Sequence, residues 1–171
     1  PARVRGDHYV TLGRQLPNKR FDLAVEACTQ LGLKLKVFGN GPLHDTLVRK
    51  AGPTIEFHTD RFGDASDEEV ENALNTAKGF VFPSDEDFGI VAVEALAAGA
   101  PVIAYDKAGT RDIIQDNISG VMFGEQTVEA VASAIQKADK MTFLPSTLAR
   151  KAKRFERSMF IDKLRRVVSQ E

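Results

Sequence analysis

Four charged residues in this chain stand at spacings that suit chemistry. Glu86 and Glu94 lie eight positions apart with Phe88-Gly89 between them, and Arg14 and Lys19 lie five apart in an early loop. The two acids belong to the stretch Gly79–Ala104, GFVFPSDEDFGIVAVEALAAGAPVIA. It reads as strand, loop, buried helix, tight turn and second strand, because Gly79–Phe82 is an apolar run stopped by Pro83 and Pro101–Ala104 is another. The helix expected between them, from Gly89 to Ala98, is apolar all round apart from Glu94. A lone carboxylate in such a setting is expensive unless a partner satisfies it. The loop Ser84-Asp85-Glu86-Asp87 leads into Phe88-Gly89, which leaves free backbone N–H groups at a helix start, a ready anion site. The same polar side chains could simply cap the helix while Glu94 reaches the sheet edge. Taken alone, these residues leave both readings open.

Alternating strands and helices must position this stretch. Tyr9–Leu12 is a short strand, followed by the loop Gly13–Arg20 and a helix whose stripe is Phe21, Ala24, Val25, Cys28 and Leu31, closed by Gly32. Cys28 is thereby assigned to the core. Leu33–Phe38 is the second strand, and Gly39-Asn40-Gly41-Pro42 turns into a helix of about Leu43–Ala51 with Pro42 at its first position. Thr54–His58 is the third strand, and Asp60–Asp67 leads into a helix Glu68–Ala77 with Val70, Ala73, Leu74 and Ala77 inward. The central stretch supplies strands four and five. A short helix near Arg111–Ile114, a turn at Asp116–Gly120, a strand Val121–Phe123 and a helix capped by Thr127 and running to about Lys137 come next. Ser146–Gln170 reads as a basic helical stretch. The fold class is α/β, a Rossmann-like doubly wound parallel sheet of about six strands with helices on both faces. It forms a single domain over 1–171, with 145–171 as a C-terminal helical segment.

Composition removes several function classes. The chain has 171 residues, 43% hydrophobic and 27% charged, with a formal net charge of −1, so the basic surplus of a nucleic-acid binder is missing. Neither a membrane-spanning run nor a leader is read in it, and with Cys28 as the single cysteine there is no disulfide and no cysteine metal site. A cytoplasmic location is the expectation. His8, His44 and His58 stand at no metal or nucleophile spacing and are expected to be structural or solvent-facing.

Ligands of doubly wound sheets bind at the carboxyl ends of the strands. The loops there carry Arg14 and Lys19, Gly39–Gly41, Thr59–Arg61, Glu86–Gly89 and Lys107–Arg111. No G-x-G-x-x-G follows the first strand and no Walker A motif exists, which excludes the dinucleotide and P-loop readings. What remains is a nucleotide whose diphosphate is held by side chains and a helix start, with Arg14 suited to a bidentate grip and Lys19 to a point charge.

With Phe88-Gly89 after the first glutamate and Ala-Ala-Gly-Ala-Pro-Val-Ile-Ala after the second, Glu86-x7-Glu94 closely resembles the donor-binding signature of the large retaining glycosyltransferase family with the GT-B fold, family 4. The likeness runs from about Tyr9 to Val168. Gly13-Arg14, Pro17 and Lys19 look like that family's G-R-x-x-P-x-K loop, which implies that Arg14 and Lys19 hold the donor diphosphate and, with Glu86, form the catalytic set. It further implies that Glu94 binds the ribose hydroxyls and Glu86 the transferred sugar. Phe88, Gly89 and Ile90 would offer backbone amides to sugar and phosphate, Gly39, Asn40 and Gly41 would line the nucleoside pocket, and Thr59, Asp60 and Arg61 would sit near the base. No metal cofactor is implied, since a cation pair and a helix dipole can stabilise the leaving diphosphate. The loop Lys107–Asp112 departs from the family's G-G-x-x-E, with Ala108 for the first Gly and Asp112 for the Glu.

The resemblance implies the donor-binding half of a GT-B enzyme, whose N-terminal acceptor domain would be the missing partner. The wording K-R-x-D-L-A and D-F-G-I resembles mannosyltransferases, so GDP-mannose is the first expected donor and a UDP-sugar the second, with transfer to a glycan or a lipid-linked acceptor and peripheral membrane association of the full-length enzyme entertained. A GT-B sugar-nucleotide epimerase and a stand-alone, non-catalytic nucleotide-sugar-binding module are the alternatives.

Overall fold

The computed structural model describes residues 5–59, 65–107 and 109–168. Six parallel strands form one sheet: β1 (His8–Leu12), β2 (Lys34–Phe38), β3 (Ile55–Phe57), β4 (Gly79–Phe82), β5 (Val102–Tyr105) and β6 (Gly120–Phe123), in the order β3-β2-β1-β4-β5-β6. The four residues of β4 are all buried, as are most of those in β1 and β5, which is why these strands are apolar runs and not alternating ones. The register aligns Tyr9 with Leu35 on one side and with Gly79 on the other. Gly79 is needed there: a Cβ would stand 2.8 Å from Ile103 Cδ1 and 3.1 Å from the Tyr9 ring.

The helices are α1 (Phe21–Leu31), α2 (His44–Lys50), α3 (Asp67–Thr76), α4 (Ile90–Ala97), α5 (Gly109–Ile113), α6 (Val128–Asp139), α7 (Pro145–Ala152) and α8 (Arg157–Val168). Helices α1 and α6 pair on one face of the sheet, and α4 and α7 on the other. Cys28 lies in the α1 core with no exposure, and burial pushes its thiol pKa up to about 12, so it is inert packing. Ser66 and Glu69 form a reciprocal capping box at the start of α3, and the Thr127 hydroxyl accepts from the Ala130 N–H at 3.2 Å.

Two expectations are corrected by local geometry. Pro42 lies in the turn before α2, not in its first position, because the N–H of His44 bonds back to the Gly41 carbonyl and Leu43 becomes the N-cap. The C-terminal stretch is not one helix: a 3-10 turn at Lys153–Phe155 and extended Glu156 separate α7 from α8. Arg154 holds that break, its guanidinium donating to the carbonyls of Asp112 and Ile113 at the end of α5. The apolar residues of α8 other than half-buried Ile161 are exposed, Phe160 at 64% and Val167 at 68%.

Candidate functional site

The strand order reverses between β1 and β4, so the loops after these two strands flank the crevice where doubly wound sheets take ligands. After β1 the chain makes a 3-10 turn at Pro17–Lys19, and Arg20 then adopts φ 51°, left-handed, before α1 begins. That conformation is uncommon for a side chain of this size. Arg20 grips Asp22 at 3.2 and 3.1 Å, whereas Lys19 reaches across to the β4 loop, its Nζ lying 2.5 Å from Glu86 Oε1. Both loops are tied down. The buried Ser84 hydroxyl donates to the Lys19 carbonyl at 3.1 Å, and the Gly109 N–H donates to the Glu86 carbonyl at 3.2 Å. A Cβ on Gly109 would stand 2.2 Å from the Asp87 carbonyl oxygen, so the start of α5 docks this closely only as glycine.

Gln15 organises the other side. Fully buried, it donates its N–H to the Asn40 carbonyl at 2.8 Å and its Nε2 to the Gly39 carbonyl at 2.6 Å, while its own carbonyl accepts from Leu43 at 3.2 Å. Since the Gly39 carbonyl only accepts, the amide oxygen must face His44, and His44 Nδ1 therefore carries the proton it donates at 3.1 Å. One side chain thus locks the loop after β1 to the loop after β2. Gly39 makes this possible with φ 98° and a Cβ position 2.0 Å from the Gly13 carbonyl oxygen, where no side chain fits.

Between these loops and helices α3 and α4 lies a cleft of about 440 Å³ whose lining includes Arg14, Phe38, Gly39, Asn40, Asp67 and Glu94. It runs on past Asp67, Val70 and Glu94 into a groove of about 520 Å³ between α3 and α4. A neighbouring depression of about 470 Å³ is lined by Asn18, Glu86, Phe88, Gly89 and Ile90. Of the expected nucleoside-side residues, Gly39, Asn40 and Glu94 therefore line the first hollow, and the expected sugar-side residues Glu86, Phe88, Gly89 and Ile90 line the second. Lys19 and Glu86 stand beside the second, and Arg14 beside the first.

Glu94 corrects an expectation. Only Ala92, Ala95 and Leu96 of α4 are buried, Ile90 is 62% exposed, and Glu94 itself faces the cleft as an exposed residue. Its carboxylate makes no hydrogen bond or ion pair among the described residues, in keeping with its exposure on the cleft wall. Partial desolvation, and then the charge of Asp67, still raise its pKa above the ordinary glutamate value. The polar loop also does not cap α4: Gly89 is the N-cap at φ 81°, with no side-chain cap bond, so the first N–H groups of α4 are left to solvent or ligand.

The remaining expected residues sort by burial. Thr59 is 7% exposed and donates its hydroxyl to the Gly39 carbonyl at 2.7 Å, while Asp60 and Arg61 lie outside the described residues. Gly41 packs its backbone on Gln15 and stays out of the cleft lining. Phe88 is half exposed, its ring edge-on to Phe155 at 5.7 Å. In the loop after β5, Lys107 pairs with Asp85 and Arg111 with Asp106, each at 2.8 Å; Ala108 lies outside the described residues. The histidines are structural: His8 is buried against the Ala73 carbonyl, His58 stacks on Phe38 at 4.7 Å, and His44 sits on Gln15 and Phe57. Among the described residues no cluster of His, Cys, Asp or Glu is arranged to hold a metal ion.

Sequence reasoning missed three contributors. Gln15 acts through a buried side-chain amide that bonds across two loops and Gly109 through close backbone approach, neither of which a spacing rule announces, and Asp67 reads as a helix-start acid although it also lines both halves of the groove. The arrangement as a whole offers cations and an open helix start for an anion, and exposed carboxylates for neutral hydroxyls.

Residues 5–155 match the family model described as Glycosyl transferases group 1. An uncharacterised glycosyltransferase of Methanocaldococcus jannaschii is 26% identical over 153 residues, 89% of this chain and 44% of that protein. A GDP-mannose-dependent alpha-(1-6)-phosphatidylinositol monomannoside mannosyltransferase of Mycobacterium tuberculosis is 31% identical over 140 residues, 74% of this chain and 36% of that protein. Among solved structures, a sucrose-phosphate synthase from Thermosynechococcus elongatus superposes with a TM-score of 0.81 at 24% identity, over 99% of this chain and 46% of that one. A pneumococcal O-GlcNAc transferase in complex with UDP and GlcNAc gives 0.77 at 20% identity, over 98% and 36%. The chain spans less than half the length of these relatives.

Proposed function

The chain belongs to the group 1 glycosyl transferases, and from that premise we propose that it binds the nucleoside diphosphate sugar donor of a retaining, GT-B, family 4 hexosyl transfer. The observation carrying the proposal is the meeting of Arg14, Gly39, Asn40 and Glu94 on one cleft at the strand-order reversal, with Lys19 and Glu86 beside it. In this reading the nucleoside enters the cleft, where Glu94 accepts from the two vicinal ribose hydroxyls and thereby gains charge-assisted partners that no described residue gives it. Arg14, Lys19 and the N–H groups at the start of α4 meet the diphosphate. Glu86 and the Phe88–Ile90 backbone meet the sugar.

The chemistry follows from where charge develops. As the glycosidic bond to the diphosphate breaks, negative charge grows on the leaving oxygens, and fixed cations with an open helix start stabilise that charge more than they stabilise the intact donor. Metal is not required for that step. The acceptor would be held by the rest of a longer enzyme, so the 171-residue chain is proposed to bind donor without transferring it unaided. GDP-mannose is the first candidate donor, supported by the mannosyltransferase relative, and a UDP-sugar is the second, supported by the fold neighbour bound to UDP.

A thermal-shift panel of GDP, UDP, ADP and their sugars tests this directly, since a ligand at 100 times its Kd adds about 2.7 kcal/mol to stability. Stabilisation by one diphosphate and its sugar is expected, with GDP leading. A panel in which no nucleotide raises the melting temperature refutes the donor-site reading.

A further inference from the structure

One of the two expected phosphate cations is already taken. Lys19 Nζ stands 2.5 Å from Glu86 Oε1, with the side chains 22% and 20% exposed, so this is not a loose surface pair. Each partner's backbone is anchored from a different element: Ser84 holds the Lys19 carbonyl and Gly109 holds the Glu86 carbonyl. The αL turn at Arg20 and the parallel pairing of β1 with β4 fix the two loops side by side. Arg14 is exposed and makes no such pair among the described residues.

We propose that the Lys19–Glu86 ion pair sets the preference of this site for a sugar-bearing nucleotide over the bare nucleoside diphosphate. The proposal rests on the donor-site reading. A phosphate oxygen arriving at Lys19 brings like charge against the Glu86 carboxylate, which must give way whichever ligand binds. What happens next differs between ligands. Sugar hydroxyls are donors and a carboxylate only accepts, so the sugar-bearing donor returns hydrogen bonds to the displaced Glu86. The bare diphosphate returns none and leaves a carboxylate facing phosphate. Discrimination is the difference between the two affinities, and here it comes from a competing group built into the empty site. The same pair re-forms as the sugar departs, which speeds release of the nucleoside diphosphate product.

Calorimetric titration of the purified chain with GDP, UDP, GDP-mannose and UDP-glucose tests the proposal, with melting curves confirming that each variant is folded. Glu86→Gln and Glu86→Ala should each bind the bare diphosphate roughly 3- to 10-fold tighter than wild type, the scale of a partly exposed ion pair. Neither should bind the sugar-bearing donor tighter, so the preference collapses. In a Lys19→Ala background, Glu86→Gln should raise diphosphate affinity by a smaller factor than in wild type, because the pair is already gone and only the repulsion between carboxylate and phosphate is left to relieve. Bare-diphosphate affinity that stays level or weakens in Glu86→Gln and Glu86→Ala overturns the proposal and leaves the donor site standing. Failure of wild type to bind any of the four ligands removes the donor site and the proposal together.

Discussion

Gln15→Ala should damage both the fold and the nucleoside cleft, because one side chain holds the two loops that form the cleft's rim. The substitution removes the 2.6 Å bond to the Gly39 carbonyl and the 3.1 Å bond from His44. At about 0.5–1.5 kcal/mol for each, the loss comes to roughly 2 kcal/mol. It should not be larger, since the Gly39 carbonyl keeps the Thr59 hydroxyl at 2.7 Å and half-buried His44 can turn to water. For a chain of this length that corresponds to a fall in melting temperature of about 4–8 °C. Nucleoside affinity should drop about 5- to 10-fold as Gly39 and Asn40 leave their places in the cleft wall. Thr59→Val, which removes only the second donor, should cost about 1 kcal/mol, and the double variant should lose more than the sum, having stripped the carbonyl of both donors. Urea unfolding and calorimetric titration measure all three variants. Additive losses totalling under about 1 kcal/mol, with nucleoside affinity unchanged, would show that Gln15 is not the pin between these loops.

Arg14→Ala should leave stability within about 0.5 kcal/mol, as expected of an exposed side chain, yet weaken nucleoside diphosphate binding by about 1.5–3 kcal/mol with little effect on the nucleoside; equal losses for both ligands in titration place Arg14 off the phosphates. Glu94 has a folded pKa raised above its unfolded one, so its contribution to stability is present in acid and disappears as pH rises through the raised value. Glu94→Gln should therefore lose that pH dependence in urea titrations, and in wild type nucleoside affinity should fall on acidification at a pH above the one an ordinary glutamate would set, a fall absent from the variant. Gly109→Ala, whose Cβ would meet the Asp87 carbonyl at 2.2 Å, should cost about 1–3 kcal/mol and weaken the sugar-bearing donor more than the nucleoside; a melting temperature equal to wild type would contradict the close docking of the two loops.

The succession of strands along the chain and the loop positions were legible in the sequence because they follow from apolar runs and their punctuation, whereas the order of the strands within the sheet was not. Gly79–Phe82 before Pro83, the stripe of α1 and the glycine turns each have one physical reading, and together they place Arg14, Lys19, Gly39 and Glu86 at the carboxyl ends of the strands. The state of each side chain there was not legible. Glu94 looked buried because its sequence neighbours are apolar, whereas a helix lying on a sheet keeps one side free, and the open side of α4 is the side that carries Glu94 and Ile90.

The functional difference between the two glutamates follows from this. Glu94 has no hydrogen-bond or ion-pair partner among the described residues, so a ligand adds to its bonding, while Glu86 is already bonded to Lys19, so a ligand must first take something away. Identical side chains eight residues apart therefore act with opposite sign toward a bare diphosphate. Spacing alone could not show that, because it depends on a lysine that lies sixty-seven positions before Glu86 and reaches it only through the pairing of β1 with β4.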